Sequence, residues 1–352
     1  MISRQRATIG VEGTLGFPTM DSFLRERANG RNWLLADGAT GTNLFDMGLL
    51  CGEAPELSNA DHPDRVRRLH HAFVVAGPDI ILTNTFGGNG RRLMLHGAEG
   101  RVHELNRLAA QHARAVADDA DRPVIVAGSV GPTGDLFAPL GELTEVVATD
   151  VFAEQIAGLK AGGADVIWIE TMSAIEEMRA AAVAAGRAGM PYVVTASFDT
   201  AGNTMMGVTP AAMAGTVGGF APHPHGIGCN CGVGASDLLC SVLAMTEAAP
   251  DATVIAKANC GIPQIGADGV TYSGTPEIMA EYARLAVDAG ATVVGGCCGT
   301  RAEHVAAMRR ALESHRRGAR PSAEAIIARV GALASPPAQA GAARRAGGRR
   351  RG

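Results

Sequence analysis

FAEQIAGLKAGGADVIWIETM, residues 152–172, contains one complete structural unit. Phe152, Ile156 and Leu159 recur at helical spacing on one face, and Gly162 stops the helix. The run that follows, DVIWIETM (165–172), is apolar and β-branched almost without interruption. Strands of that kind are buried on both faces, as in parallel sheets covered by helices.

The unit repeats along the chain. Matching runs are WLLADG (33–38), DIILTNTFGG (79–88), PVIVAGSVGP (123–132), PYVVTASFD (191–199), HGIGCNCG (225–232), TVIAKANCG (253–261) and ATVVGGCCG (291–299). The run at 225–232 is the poorest in β-formers. Between the first two, Val66, Leu69, Phe73 and Ala76 share a helical face, with Asp61 as the expected N-cap and Pro63 close behind. Eight strand–helix units in roughly 280 residues predict an α/β fold of the (β/α)8 TIM-barrel type, a single domain. An open doubly wound sheet would need a glycine-rich dinucleotide loop after the first strand, and ADGATGTNL lacks that spacing.

The ends read differently. Met20 opens MDSFLRERANG, so residues 1–19 are expected to be an N-terminal extension, with the barrel at 20–318. Residues 319–352 are expected to form a short C-terminal helix and a disordered basic tail, SPPAQAGAARRAGGRRRG from Ser335. Hydrophobic residues at 47% against 19% charged mark a globular chain, and a net charge of −4 gives no footprint for nucleic acid. No run of eighteen apolar residues and no secretory signal are evident, so a cytoplasmic protein off the membrane is expected. The sequence leaves room for a homo-oligomer without arguing for one.

Barrels carry their chemistry at the C-terminal ends of strands. Here those ends are Asp37-Gly38, Asn84-Thr85, Ser129 to Pro132, Glu170-Thr171, Ser197 to Asp199, Asn230-Cys231, Asn259-Cys260 and Cys297-Cys298. Most are polar, so one rim collects them. The seven cysteines (Cys51, Cys229, Cys231, Cys240, Cys260, Cys297, Cys298) are odd in number and fit no disulfide scaffold. Metal binding or catalysis is the better reading. Cys231 ends the sixth strand, and Cys297 and Cys298 end the eighth. Zinc in a catalytic site takes three protein ligands and keeps one position open. Consecutive strand residues point to opposite faces, so two adjacent ligands require the strand to end or bulge. Gly295, Gly296 and Gly299 are expected to supply that freedom. Cys229 is the rival ligand, through a C-N-C chelate, and His223 and His225 lie near the same strand. Otherwise Cys229, Cys240 and Cys260 read as ordinary small side chains.

In this order, LLADGATGTNL, ILTNTFGGN, GSVGPTG, IETM, GCNCG and GGCCGT resemble the homocysteine S-methyltransferase family, over about Leu34 to Ala311. The wording looks most like bacterial betaine–homocysteine methyltransferases. The resemblance implies a (β/α)8 barrel and zinc on Cys231, Cys297 and Cys298, through which catalysis runs. It implies homocysteine and a small methyl donor as partners, with Asp37 and Glu170 on the substrate ammonium. Backbone amides from Gly38 to Thr42 are expected to take the substrate carboxylate. Ser129 and Asn259 are rim residues of unassigned role.

Betaine is the expected donor; S-methylmethionine, another onium donor or a separate corrinoid protein are alternatives. No D-x-H-x-x-G cobalamin motif occurs, so a complete cobalamin-dependent methionine synthase is not expected. The sequence departs from the betaine enzymes where Gly87 replaces a tyrosine, and in lacking a tryptophan around Cys51. Trp33, Phe45, Phe86, Phe137, Trp168 and Tyr272 are candidates to replace those aromatics. A reading of another class makes Cys297-Cys298 a vicinal dithiol that senses metal or redox state without turnover.

Overall fold

Each apolar run forms a strand shorter than itself, because the last residues of each run turn away to build the rim. The computed structural model describes residues 31–266 and 269–334. The N-terminal extension and the tail from Ser335 lie outside the described residues. The strands are β1 (Leu34–Leu35), β2 (Ile80–Leu82), β3 (Ile125–Val130), β4 (Val166–Met172), β5 (Tyr192–Ala196), β6 (Ile227–Cys231), β7 (Val254–Ala258) and β8 (Val293–Gly296). All pair in parallel in the order β1-β8-β7-β6-β5-β4-β3-β2. A bridge from Ala36 to Ile80 joins β1 to β2 and closes the (β/α)8 barrel.

The helices that follow the strands in turn are α1 (Pro63–Ala76), α2 (Val102–Asp118), α3 (Glu145–Ala161), α4 (Ile175–Arg187), α5 (Pro210–Gly218), α6 (Ala235–Ala248), α7 (Pro276–Ala289) and α8 (Ala302–Glu313). Alternate strand residues divide the core. Leu34, Ile80, Ile125, Val166, Trp168, Ile255 and Val293 pack together inside the barrel. Their neighbours Leu35, Ile81, Val126 and Ile167 pack outward with Phe73, Phe152, Ile156 and Leu159 of the helices. Two buried faces per strand explain the unbroken apolar runs.

Two local features differ from the sequence expectation, and the weakest expected strand is present. Asp61 does not cap α1: it ends a separate short helix, Ser58–Asp61, and His62 links the two with φ −137° and ψ 56°. The run at 225–232 forms a regular strand despite its few β-formers. A Cβ at Gly228 would lie 2.2 Å from the Ile255 carbonyl oxygen, so close approach of β7 excludes larger residues. Between β7 and α7 an antiparallel hairpin, Pro263–Gly266 with Gly269–Tyr272, adds two strands that the period gave no sign of. A final helix, Ala323–Val330, has its N-terminus capped by the Ser322 hydroxyl. No helix among the described residues is long and apolar enough to cross a membrane.

The N-terminal face of the barrel is held by charge. Asp79 accepts the Leu35 N–H at 2.9 Å and pairs with Arg31 at 2.9 Å and Arg309 at 3.2 Å. Both guanidinium groups stack on Trp33, 4.5 and 5.4 Å from its ring centre. Polar links at this face of a barrel serve stability. Asp79→Ala should therefore destabilise the barrel by about 2 kcal/mol, since it removes two partly buried ion pairs and the acceptor of the buried Leu35 amide. Thermal unfolding checks this, with metal content unchanged at the far rim.

Candidate active site

β7 lies between β6 and β8, and its last residue, Ala258, pairs with Cys231 on one side and Gly296 on the other. The two cysteine-bearing strand ends thus flank a single residue. Cys231 has the outward parity of Ile227 and Cys229, but its φ of 62° is left-handed and takes it off the strand. That conformation costs a non-glycine residue about 1 kcal/mol or more. On the other side the Cys297 N–H bonds the Ala258 carbonyl at 2.7 Å, and the Thr300 N–H returns to the Cys297 carbonyl at 3.1 Å. This four-residue turn puts Gly299 third, with φ 76°, where a type II turn requires glycine. Gly295 and Gly296 serve another purpose than the expected backbone freedom. A Cβ at Gly295 would lie 2.9 Å from Ala36, and one at Gly296 2.2 Å from Thr300, so these two glycines provide space.

The result brings the sulfurs of Cys231, Cys297 and Cys298 within 4.8 Å of one another, with Cys231 and Cys298 3.9 Å apart. Contact with Cys297 favours the Cys231 thiolate, but contact with Cys298, burial and sulfur–sulfur repulsion outweigh it and push the thiol up to about 12. Cys298 is likewise pushed up to about 12, its contact with Cys231 working against the rise and that with Cys297 for it. Thiols crowded this way keep their protons unless a cation is close. Three such donors suit a metal ion.

Two asparagines hold the cluster. Asn259 accepts the Cys298 N–H at 3.0 Å and donates to the Gly232 carbonyl at 2.6 Å, tying both cysteine loops to the end of β7. Asn230 accepts from the Thr171 N–H at 2.8 Å and the Thr195 hydroxyl at 2.6 Å, and donates to the Thr171 hydroxyl at 2.7 Å. Its amide nitrogen also lies 3.8 Å from the Cys297 sulfur. Thr171 is left-handed too, with φ 61°, so Asn230 fixes the bend that follows Glu170.

The sulfurs open onto a cavity of about 620 Å³ lined also by Gly38, Thr42, Ser129, Glu170 and Lys257. Ser129 donates to the Glu170 carboxylate. Burial raises the Glu170 carboxyl above its ordinary range, with Lys257 and Ser129 pulling against the rise. Asp37 is fully buried, beneath this lining. Its carboxylate accepts the Leu82 N–H at 2.8 Å and pairs with Lys257 at 3.1 Å. Burial opposes the Lys257 charge, but Asp37, then Glu170 and Cys297, more than offset it and hold the ammonium above its ordinary value.

Sequence reasoning missed Lys257. The signal was present, because TVIAKANCG places a lysine in register with Ile255 on the inward face of a buried strand. An unpaired charge there is costly.

The other candidates stand apart. Cys229 is buried with its sulfur 3.8 Å from the Leu238 carbonyl, facing α6, and Cys260 lies 3.3 Å from the Gly274 carbonyl. His223 bonds the Gly218 carbonyl at 2.9 Å, and the His225 N–H bonds Tyr192, both before β6 begins and thus at the opposite end from Cys231. Of the expected amides, that of Ala39 is already given to the Thr300 carbonyl. Of the aromatics, Phe45 and Phe86 line the cavity, whereas Trp33 is at the opposite face and Trp168 is inside the barrel. Asn259→Ala removes both loop ties while leaving the sulfurs, so metal affinity should fall about 10- to 100-fold, measured by competition with a chelator.

Comparisons with known proteins bear on the family and the fold. The family profile described as homocysteine S-methyltransferase matches residues 34–312. Methionine synthase of Mycobacterium leprae is 30% identical over 310 residues, covering 83% of this chain and 25% of that protein. The Mycobacterium tuberculosis methionine synthase is 30% identical over 303 residues, 81% of this chain and 25% of the relative. The chain thus spans about a quarter of the length of the curated relatives it matches. Among solved structures, the metallated form of the homocysteine methyltransferase MmuM from Escherichia coli superposes with a TM-score of 0.69 at 19% identity. That match covers 82% of this chain and 99% of the other. Its oxidized form gives 0.70 at 20% identity, with 82% and 98% covered. These likenesses carry the fold.

Proposed function

This chain belongs to the homocysteine S-methyltransferase family, and from that premise we propose that its barrel moves a methyl group from a small onium donor to the sulfur of homocysteine, giving methionine. Betaine is the donor we put first, and zinc the metal we assign to Cys231, Cys297 and Cys298. The observation that carries the reading is the approach of these three sulfurs to within 4.8 Å of one another on the wall of the cavity that Glu170 also lines.

The donor set fits zinc. Thiolates about 2.3 Å from a tetrahedral zinc lie about 3.8 Å apart, and three of them leave one position open. The separation of Cys231 and Cys298, 3.9 Å, matches that edge. Bound there, zinc would lower the pKa of the homocysteine thiol and hold it as a nucleophile, the three thiolates keeping it electron-rich.

The protein's own groups orient the amino-acid end. Glu170, steadied by Ser129, faces the cavity and takes the substrate ammonium. Asp37 acts through Lys257: with both carboxyls ionised, two negative charges against one ammonium leave one for the substrate. Gly38 lets the chain pass under Thr300, where a Cβ would meet the carbonyl oxygen at 2.5 Å, and so keeps this wall open to the substrate. Transfer then forms the sulfur–carbon bond as the carbon–onium bond breaks. The leaving amine or sulfide departs neutral with the electron pair, so no general acid is needed.

The test is metal content together with a donor panel of betaine, dimethylsulfoniopropionate, S-methylmethionine and a methylated corrinoid. We expect stoichiometric zinc and methionine formation from an onium donor. Cys231→Ser and Cys297→Ser should each lower metal affinity and turnover by roughly two orders of magnitude or more. Turnover with the corrinoid alone would exclude the onium donors. Intact metal and turnover in Cys231→Ser would end the zinc assignment.

A further inference from the structure

The methyl-transfer reading leaves one feature of the cavity unused. Glu56 sits in a single turn of 3-10 helix, Pro55–Leu57, and is 5% exposed, yet its side chain lines the same cavity as the three sulfurs. Its Oε1 accepts the Gly87 N–H at 2.6 Å. A Cβ at Gly87 would lie 3.1 Å from that oxygen, so the carboxylate uses the space that a side chain there would take. The segment is fixed from beneath, because Asn84 donates to the Pro55 carbonyl at 2.7 Å and to Asn59 at 3.0 Å.

A neutral amide would satisfy the Gly87 N–H equally well. Burying a charged acceptor is costly, so the charge itself needs a reason. Arg92 lines the same cavity and is exposed near its mouth, and it has no ion-pair partner within 4.0 Å among the described residues. Phe45 and Phe86, both exposed, add two aromatic rings to the lining of this cavity.

The wall thus carries the half-buried sulfurs, the buried Glu56 carboxylate, two exposed aromatic rings and an exposed guanidinium. A molecule carrying an onium centre and a carboxylate has groups complementary to Glu56 and Arg92 once its methyl group points to the sulfurs. Aromatic faces and a carboxylate both attract an onium centre, and a guanidinium matches a carboxylate.

We propose that Glu56 and Arg92 form a donor-recognition pair, Glu56 facing the cationic centre and Arg92 the carboxylate of a zwitterionic onium donor. The proposal rests on the methyl-transfer reading and names the residues that select the donor. Burial raises the Glu56 carboxyl, opposed by its own amide and that of Gly87 and by Arg92 and His96. A cation in the cavity adds to that opposition and favours the ionised form.

The test uses the full chain supplied with zinc and homocysteine. It compares binding of betaine with 3,3-dimethylbutyrate, which has the same shape with a neutral quaternary carbon in place of the ammonium. The wild type should prefer betaine by on the order of tenfold, and Glu56→Gln, which keeps an acceptor for Gly87, should abolish the preference. Arg92→Gln should weaken both ligands alike. Homocysteine affinity and zinc content should not change in either variant. A betaine preference that survives in Glu56→Gln, or is absent from the wild type while homocysteine binds, overturns the donor pair alone. Failure of the wild type to bind homocysteine would instead tell against the methyl-transfer reading.

Discussion

The parallel pairing of β7 with both β6 and β8 is the constraint on which the site depends. Ala258 ends the middle strand, and its two partners, Cys231 and Gly296, are far apart in sequence and close in space because both strands pair with β7. Everything at the sulfur cluster follows from what happens at Cys231 on one side and just after Gly296 on the other. A left-handed residue on β6 and a glycine turn after β8 both bend off the sheet toward the same point. Asn259, at the end of the strand between them, holds the two bends at a fixed separation.

Charge in the cavity is balanced across strands. Lys257 on β7 spans toward Asp37 after β1 and Glu170 on β4, which lets a barrel interior hold three ionisable groups without an isolated one. The polar layer lies directly above Trp168 and Ile255, so hydrophobic packing below and charge above are successive layers of the same strands. At the other face Asp79 gathers two arginines. This division is usual for a barrel, in which the two ends are free to serve different needs.

Much of this was legible in the sequence, and the exceptions have physical reasons. Strands buried on both faces leave continuous apolar runs, so their number and the closed barrel could be read directly. The hairpin between β7 and α7, with strands of four residues each, is too short to leave a pattern. The three sulfurs could be grouped only by counting strands, aided by the family motifs, since their spacing fits no local chelate. Gly295 and Gly296 were read as flexible when their neighbours Ala36 and Thr300 require them to be small, a demand made by contacts distant in sequence. Lys257 was overlooked although its parity with Ile255 marks it as inward-facing. Glu56 could not have been found, because nothing local distinguishes it from a surface glutamate until the fold sets it beside Gly87.

X-ray absorption at the zinc edge tests the central claim most directly. For the purified chain the account predicts three sulfur scatterers at about 2.3 Å and one lighter neighbour, rising to four sulfurs when homocysteine is added. A shell dominated by nitrogen or oxygen, or one that homocysteine leaves at three sulfurs, would contradict it.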